Sequence, residues 1–459
     1  MKKLNYIFLF LLFFSFCSNS SNGGIVEVDS IELTTSTSTT LPSYYVHELN
    51  VPIIKDLSHI NFQNCINFLG SNNDVECLEP YKEVETVEFG STISNIELND
   101  KFIYVVLKKG EIYQFNTLSN EKKLFYSNEN VLDLQDAGLL SMAINDLENC
   151  FAISYVNKKG DLVVDKFIFE EDIFNYTLEG TIFKQEMIEP YTHVSGNLIW
   201  SNYLNTFLLS VGDNHDANAL SRIDPNPVDT TSNLGKILSL NNINLDIPLY
   251  SSNRILNSQS SINENQEIKN VVVHGLRSPW QFFEFRNYLI VFDVGLSINE
   301  EMNIVNMENL PAFLGWPIFE AMSKSSEIDN IQNYEIDINY FDENKILNMN
   351  DTLKKLESET VMPSFFYNHY PTETDYRGAI IGGDIFSNSK SNYIFNIAFI
   401  EIVTKEIFLY DLTTGNVKLF PATEPIGGIV TSLRIYDSDS ADIVLTTYDG
   451  ELVFIKLNN

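Results

Sequence analysis

A histidine, an aspartate and an arginine in this sequence are of the types that can do acid–base chemistry. His193 opens one apolar strand (His193-Val194-Ser195-Gly196-Asn197-Leu198) and Asp213 closes the next (Leu208-Leu209-Ser210-Val211-Gly212-Asp213), so a hairpin would bring imidazole and carboxylate to the same end. Imidazole suits a general base near neutral pH, and it works best with one ring nitrogen anchored by a carboxylate. Arg277, in Gly275-Leu276-Arg277-Ser278-Pro279-Trp280, offers a planar, permanently charged fork that can face a developing anion or cap strand carbonyls. These residues alone leave both readings of Arg277 open, and leave open that His193 is an ordinary histidine at a strand edge. No cysteine pair has zinc spacing, and neither a nucleophile elbow nor an HExxH pattern occurs, so hydrolase and lyase readings have little to stand on.

The elements that would carry these side chains are strands. From about Glu88 to Asn459, β-branched and aromatic runs recur between turns such as Lys109-Gly110, Lys159-Gly160 and Asp449-Gly450, with no amphipathic helix of convincing length. The runs group into repeated units: Ile93 to Phe115, Gly138 to Phe169, Gly196 to Leu240, Gly275 to Val305, Ala379 to Leu412 and Gly428 to Leu457. Radial repetition of this kind predicts an all-β, six-bladed β-propeller over residues 88–459. Two polar stretches, Asn241 to Asn270 and Ala321 to Val361, read as long loops between blades.

Residues 1–17 combine Met1-Lys2-Lys3 with an apolar run from Tyr6 to Phe16, the pattern of a signal peptide. That run is shorter than the roughly 20 residues a membrane span needs, so export is expected, to the periplasm or to the bacterial envelope. Cys17 followed by Ser-Asn-Ser-Ser matches the lipid-bearing cysteine of a lipoprotein signal except for the bulk of Phe16, and lipid anchoring and plain cleavage both stay open. Residues 18–87 read as a polar tether and small N-terminal extension. In an oxidising compartment Cys65 and Cys77 are compatible with one disulfide, and Cys150 reads as a buried thiol.

Lys and Arg total 29 against 62 Asp and Glu, a formal charge of -33. Such a surface repels phosphate backbones, which argues against a nucleic-acid partner and fits solubility or a saline habitat.

Several ordered motifs carry a resemblance to the soluble quinoprotein glucose/sorbosone dehydrogenases, as a divergent, aldose sugar dehydrogenase-like member. They are Gly138-Leu139-Leu140-Ser141-Met142-Ala143, the His193 and Asp213 strands, Gly235-Lys236-Ile237-Leu238, and His274-Gly275-Leu276-Arg277-Ser278-Pro279-Trp280. Asp293-Val294-Gly295 with Asn299-Glu300-Glu301-Met302-Asn303, Gly315-Trp316-Pro317-Ile318-Phe319-Glu320 and Gly382-Gly383-Asp384-Ile385-Phe386 complete the set. The resemblance implies a funnel that binds pyrroloquinoline quinone (PQQ) with a calcium ion and oxidises the C1 hydroxyl of an aldose or oligosaccharide, passing electrons to an acceptor the sequence does not name. It implies His193 as base, Asp213 as its partner and Arg277 against the quinone oxygen, with Asp136, Arg277, Ser278 and Lys405 on the cofactor and the Gly295 and Leu296 carbonyls on calcium. Asp136 stands where the family has glutamine and Ser278 where it has asparagine, while Pro425 and Gly427 fall close to the family's sixth-blade arginines, with Arg434 nearby. Trp316 and Pro317 are expected to be packing and turn residues, and Glu300 and Glu301 one structural and one solvated carboxylate. The alternative function is a non-catalytic propeller that binds carbohydrate or protein.

Overall fold

The computed structural model describes residues 55–57, 70–71, 75–99, 102–170, 174–214, 226–227, 232–241, 270–324, 359–370, 376–387, 393–422, 426–436 and 438–458. Its strands are buried on both faces wherever one sheet lies between two others. Cys150–Val156 has every residue buried, as the continuous apolar run Cys-Phe-Ala-Ile-Ser-Tyr-Val requires. Polar strands lie at the rims: the eleven residues of Tyr176–Glu186 are half-buried or exposed.

Each blade is an antiparallel sheet whose first strand lines the axis. Blade 1 is Ile93–Asn99, Phe102–Leu107, Glu111–Asn116 and Glu121–Ser127; blade 2 is Leu139–Asn145, Cys150–Val156, Asp161–Phe169 and Tyr176–Glu186. Blade 3 is Ser195–Ser201, Thr206–Val211, Lys236–Ser239 and Val271–His274; blade 4 is Gln281–Phe285, Tyr288–Asp293, Asn299–Asn306 and Phe365–Asn368. Blade 5 is Ile380–Ile385, Asn396–Glu401, Ile407–Asp411 and Val417–Phe420. Blade 6 takes Val430–Ile435, Ile443–Thr447 and Glu451–Lys456, and its fourth strand, Lys82–Glu88, comes from before blade 1. The protein is a six-bladed β-propeller, as its sequence predicts.

The N-terminal boundary differs from the sequence reading. Lys82–Glu88 pairs antiparallel with Glu451–Lys456 and closes the ring. Lys55–Asp56 adds in parallel to Phe365–Asn368 of blade 4, and Val75–Cys77 to Val417–Phe420 of blade 5. Each addition meets the backbone groups of an outer edge that would otherwise stay unpaired. Cys77 is disulfide-bonded, whereas Cys65, its expected partner, lies outside the described residues. Cys150 is a buried free thiol, as expected. Residues 1–17 and most of the two long loops also lie outside the described residues, and no described helix is long and apolar enough to cross a membrane.

Aromatic side chains fill the wedge between blades. The rings of Phe399 and Phe408 stack 5.3 Å apart in blade 5, and Phe365 and Phe292 of blade 4 meet Phe399 edge-on or tilted.

A polar plug crosses the axis. Asn95 Nδ2 donates to Ser141 Oγ and Asn197 Oδ1, both at 3.0 Å, and Asn95 Oδ1 accepts from Ser432 Oγ at 3.0 Å. Gln281 Nε2 donates to Ser432 Oγ at 2.8 Å. Inner strands of blades 1, 2, 3, 4 and 6 thus meet through side chains. Blade 5 contributes Gly383, where a Cβ would fall 1.7 Å from the Ala398 oxygen, so only glycine fits. The network ties the inner strands together, with Gln281 Oε1 buried without a partner.

Candidate functional site

The start of every inner strand and the end of every second strand lie at one face of an antiparallel propeller, which gathers residues far apart in sequence. His193 precedes the inner strand of blade 3 and Asp213 follows its second strand; Arg277 and Ser278, then Gly295 and Leu296, hold the same places in blade 4. Asp136 precedes blade 2, and Lys405 follows the second strand of blade 5.

The imidazole–carboxylate pair is formed: His193 Nδ1 and Asp213 Oδ1 lie 2.8 Å apart. Asp213 is buried, while the His193 side chain keeps 14% of its surface accessible, so its ring faces the open end. No partner for His193 Nε2 is found among the described residues. Trp316 Nε1 donates to the other Asp213 oxygen at 3.1 Å. The tryptophan arrives by an excursion: Ala312–Phe313 leaves blade 4, pairs in parallel with Val271–His274 of blade 3, and carries Trp316 over Asp213. The sequence assigned Trp316 to packing; its indole N–H gives it a polar role that no local pattern signals.

His193 is held in a strained backbone conformation, with φ of 51°, and Ser195 follows at 60°. Blade 2 clamps this segment. Asp136 Oδ2 accepts from the His193 N–H at 2.8 Å, Gln135 Oε1 from the Tyr191 N–H at 2.6 Å, and the Asp136 N–H donates to the Tyr191 oxygen at 3.0 Å. One oxygen of Asp136, which the resemblance put on the cofactor, therefore fixes the backbone of His193.

Arg277 is continuous with the pair. Its carbonyl accepts from the Asp213 N–H at 2.8 Å, and its guanidinium lies 6.0 Å from the Trp316 ring centroid. Arg277 Nη1 donates to the carbonyls of Val294 at 2.9 Å and Gly295 at 2.7 Å. Its N–H and that of Ser278 both go to the Asp293 carboxylate, at 2.9 and 2.7 Å. Carbonyl capping, one of the two roles the sequence left open, is thus present in this structure.

Behind Gly295 lies a nest of buried carboxylates. Glu300 pairs with His369 Nε2 at 2.6 Å, and Glu301 accepts from Asn303 Nδ2 and the Ala321 N–H. Glu320 Oε1 caps the N–H groups of Ser297, Ile298 and Asn299, while its Oε2 is buried without a partner. Glu300 is fully buried and Glu301 6% exposed, so neither is the solvated carboxylate the sequence suggested. Residues with two adjacent acidic side chains in a strand would normally present one to water; here the loop carrying Glu320 and Ala321 covers the outer one.

Burial pushes Glu300 up to about 6, opposed by the His369 bond. Asp293 and Glu301 are also held above the usual carboxylate range, first by burial and then by nearby carboxylates. Burial lowers the His369 pKa, but the bond and charge of Glu300 outweigh it and leave it raised. Acids whose folded pKa values are raised hold more protons folded than unfolded, so their contribution is present below the ordinary carboxylate range and lost as pH rises through the raised values. Stability, and with it the melting temperature, should therefore fall between about pH 5 and pH 8. Glu301→Gln should flatten that slope, because turning the Asn303 amide brings its unpartnered Oδ1 to the new N–H group. Thermal melts of both proteins across this range check it; a wild-type melting temperature that rises with pH overturns the reading.

The remaining cofactor candidates are less concentrated. Ser278 is buried beside Asp293, and Lys405 Nζ donates to the Gly428 carbonyl at 2.8 Å across to blade 6. Burial lowers the Lys405 pKa. Two other cations of this face are in ion pairs, Lys108 with Asp133 at 2.6 Å and Arg377 with Glu406, and Lys236 donates to the Asn226 and Leu234 carbonyls. Arg434 bonds the Gly383 and Leu433 carbonyls and Asn95 within the channel, and Pro425 lies outside the described residues.

These residues fit a carboxylated quinone through Arg277 and Lys405, whose bonds go to carbonyls rather than to carboxylates. They do not fit calcium on Gly295, because a guanidinium already holds that carbonyl. A Cβ at Gly295 would fall 1.8 Å from the Asn299 oxygen, so only glycine fits at this position.

No family model matches the chain, and no curated protein matches it. Among solved structures it is similar to the PQQ-bound aldose sugar dehydrogenase of Streptomyces coelicolor, at 12% identity and TM-score 0.54, over 82% of this chain and 97% of that one. It is similar to the soluble aldose sugar dehydrogenase of Escherichia coli in its apo form, at 14% identity and TM-score 0.53, over 82% and 99%. A putative oxidoreductase (glucose dehydrogenase) of Thermus thermophilus matches at 13% identity and TM-score 0.53, over 82% and 99%. At these identities the likeness speaks to architecture: this chain shares the six-bladed propeller fold of soluble aldose and glucose dehydrogenases.

Proposed function

We propose that the protein oxidises a sugar hydroxyl at this face, as a quinone-dependent dehydrogenase in which His193 is the base. The observation that carries the reading is the His193–Asp213 pair, with one imidazole nitrogen anchored and the other toward solvent. A substrate hydroxyl gives its proton to His193 Nε2 while the C–H bond breaks with its electron pair, leaving a carbonyl. Asp213 keeps the proton of the resting imidazole on Nδ1 and stabilises the imidazolium that forms, and the Trp316 N–H keeps the carboxylate in line. Arg277, beside this pair, stabilises negative charge on an acceptor oxygen. PQQ, when bound, supplies the two-electron acceptor for the hydride; Arg277 and Lys405 would hold its carboxylates. An aldose attacked at C1 would leave as its lactone, and an oligosaccharide with a free reducing end would react alike.

The test is reconstitution with PQQ, followed by quinone absorbance and dye reduction with glucose, other aldoses and oligosaccharides. Substrate-dependent bleaching and dye reduction are expected. Silence with every sugar overturns the enzymatic reading in favour of a carbohydrate- or protein-binding propeller. One observation favours that second reading: Gly427 and Gly428 offer blade 6 no cation, and Lys405 spends a bond on the Gly428 carbonyl.

A further inference from the structure

We propose that this site works without calcium, because Arg277 occupies the Gly295 carbonyl a metal ion would need and presents its own N–H groups to the ligand in the ion's place. Two carbonyls, those of Val294 and Gly295, converge on the same guanidinium nitrogen at 2.9 and 2.7 Å. A calcium ion sits about 2.3–2.6 Å from each of its six to eight oxygens, so an ion on Gly295 would lie against a fixed positive charge.

Of the carboxylates around it, Glu320 alone among the described residues keeps a buried oxygen, Oε2, without a partner; the others are engaged. Both oxygens of Asp293 accept backbone N–H groups from Arg277 and Ser278. Glu300 is taken by His369 and by the N–H groups of Gly295 and Ile380. Glu320 Oε1 accepts from Ser297, Ile298 and Asn299. The same bonds that exclude the ion hold the guanidinium rigidly: Asp293 fixes the Arg277 backbone, and the Val294 and Gly295 carbonyls fix its tip. No partner for Arg277 Nη2 or Nε is found among the described residues, so these donors can bond a ligand oxygen. An arginine so placed supplies permanent charge and direction to one oxygen, and needs no metal to be present.

The metal half of the inference stands by itself; the ligand half rests on the function proposed above. Two measurements keep them apart. Crystals of the full chain soaked in terbium report metal by anomalous scattering, whatever the protein catalyses. No peak within coordination distance of the Gly295 or Leu296 oxygen is expected, and a peak confined to Glu320, whose Oε2 is buried without a partner, equally leaves Gly295 metal-free. A peak on either carbonyl overturns the proposal. PQQ is then titrated, by quenching of protein fluorescence, in EGTA and in calcium. Dissociation constants within about twofold of each other support the ligand half, and a tenfold or greater tightening by calcium, about 1.4 kcal/mol, overturns it. Absence of PQQ binding in both buffers sinks the ligand half together with the proposed function, while the terbium result still decides the metal half.

Discussion

His193→Ala should lower turnover of the PQQ-loaded protein by about three orders of magnitude, within the range expected for loss of a general base. Among the described residues of this site, Nε2 is the only base facing solvent with its partner nitrogen anchored, and alanine removes both ring nitrogens. Stability should fall less, by roughly 1–3 kcal/mol, because one oxygen of the buried Asp213 loses its donor while Trp316 still serves the other. His193→Asn separates the effects. Its side-chain amide can take the place of Nδ1 and keep the bond to Asp213, and asparagine tolerates the φ of 51° at this position. Nothing replaces Nε2. Turnover should therefore be lost in both variants, with the asparagine variant melting closer to wild type and binding PQQ as wild type does. Wild-type turnover in either variant removes His193 from the reaction.

The second large effect concerns closure of the ring. Removing residues 82–91 should lower the melting temperature by about 10 °C or leave the protein unable to fold. The deleted strand spans the register from Lys82 opposite Lys456 to Glu88 opposite Glu451. Its partner would become an open edge, and blade 6 would lose the packing of Val87 and Phe89 on the buried side chains of blades 1 and 6. At about 1 kcal/mol per backbone hydrogen bond, these losses approach the whole stability of a typical domain. Supplying residues 75–91 as a separate peptide should restore part of the loss by adding to the open edge. A shortened protein that melts like the full chain would show that the ring closes without this strand.

The architecture was legible because each blade is local. Its turns, such as Lys109-Gly110 and Asp449-Gly450, and its five- to seven-residue apolar runs announce antiparallel neighbours within a short stretch of chain. The His193–Asp213 pair was legible for the same reason, since Ser195 and Val211 face each other in one hairpin and their flanking residues must meet. The sixth blade was only partly legible. Lys82–Glu88 reads Lys-Glu-Val-Glu-Thr-Val-Glu, a polar alternation that suits an exposed edge but does not say which edge it joins.

The sequence by itself therefore determined the repeated sheet units, the strand character of the chain and the histidine–aspartate hairpin, all set by contacts between near neighbours. Tertiary structure alone decided that Trp316 serves Asp213, 103 residues away, that Arg277 caps the Gly295 carbonyl, and that both adjacent glutamates are buried. The physical reason is that a strand's period reports which face is buried, whereas the partner met across a blade is set by how the ring closes, and no local pattern encodes it.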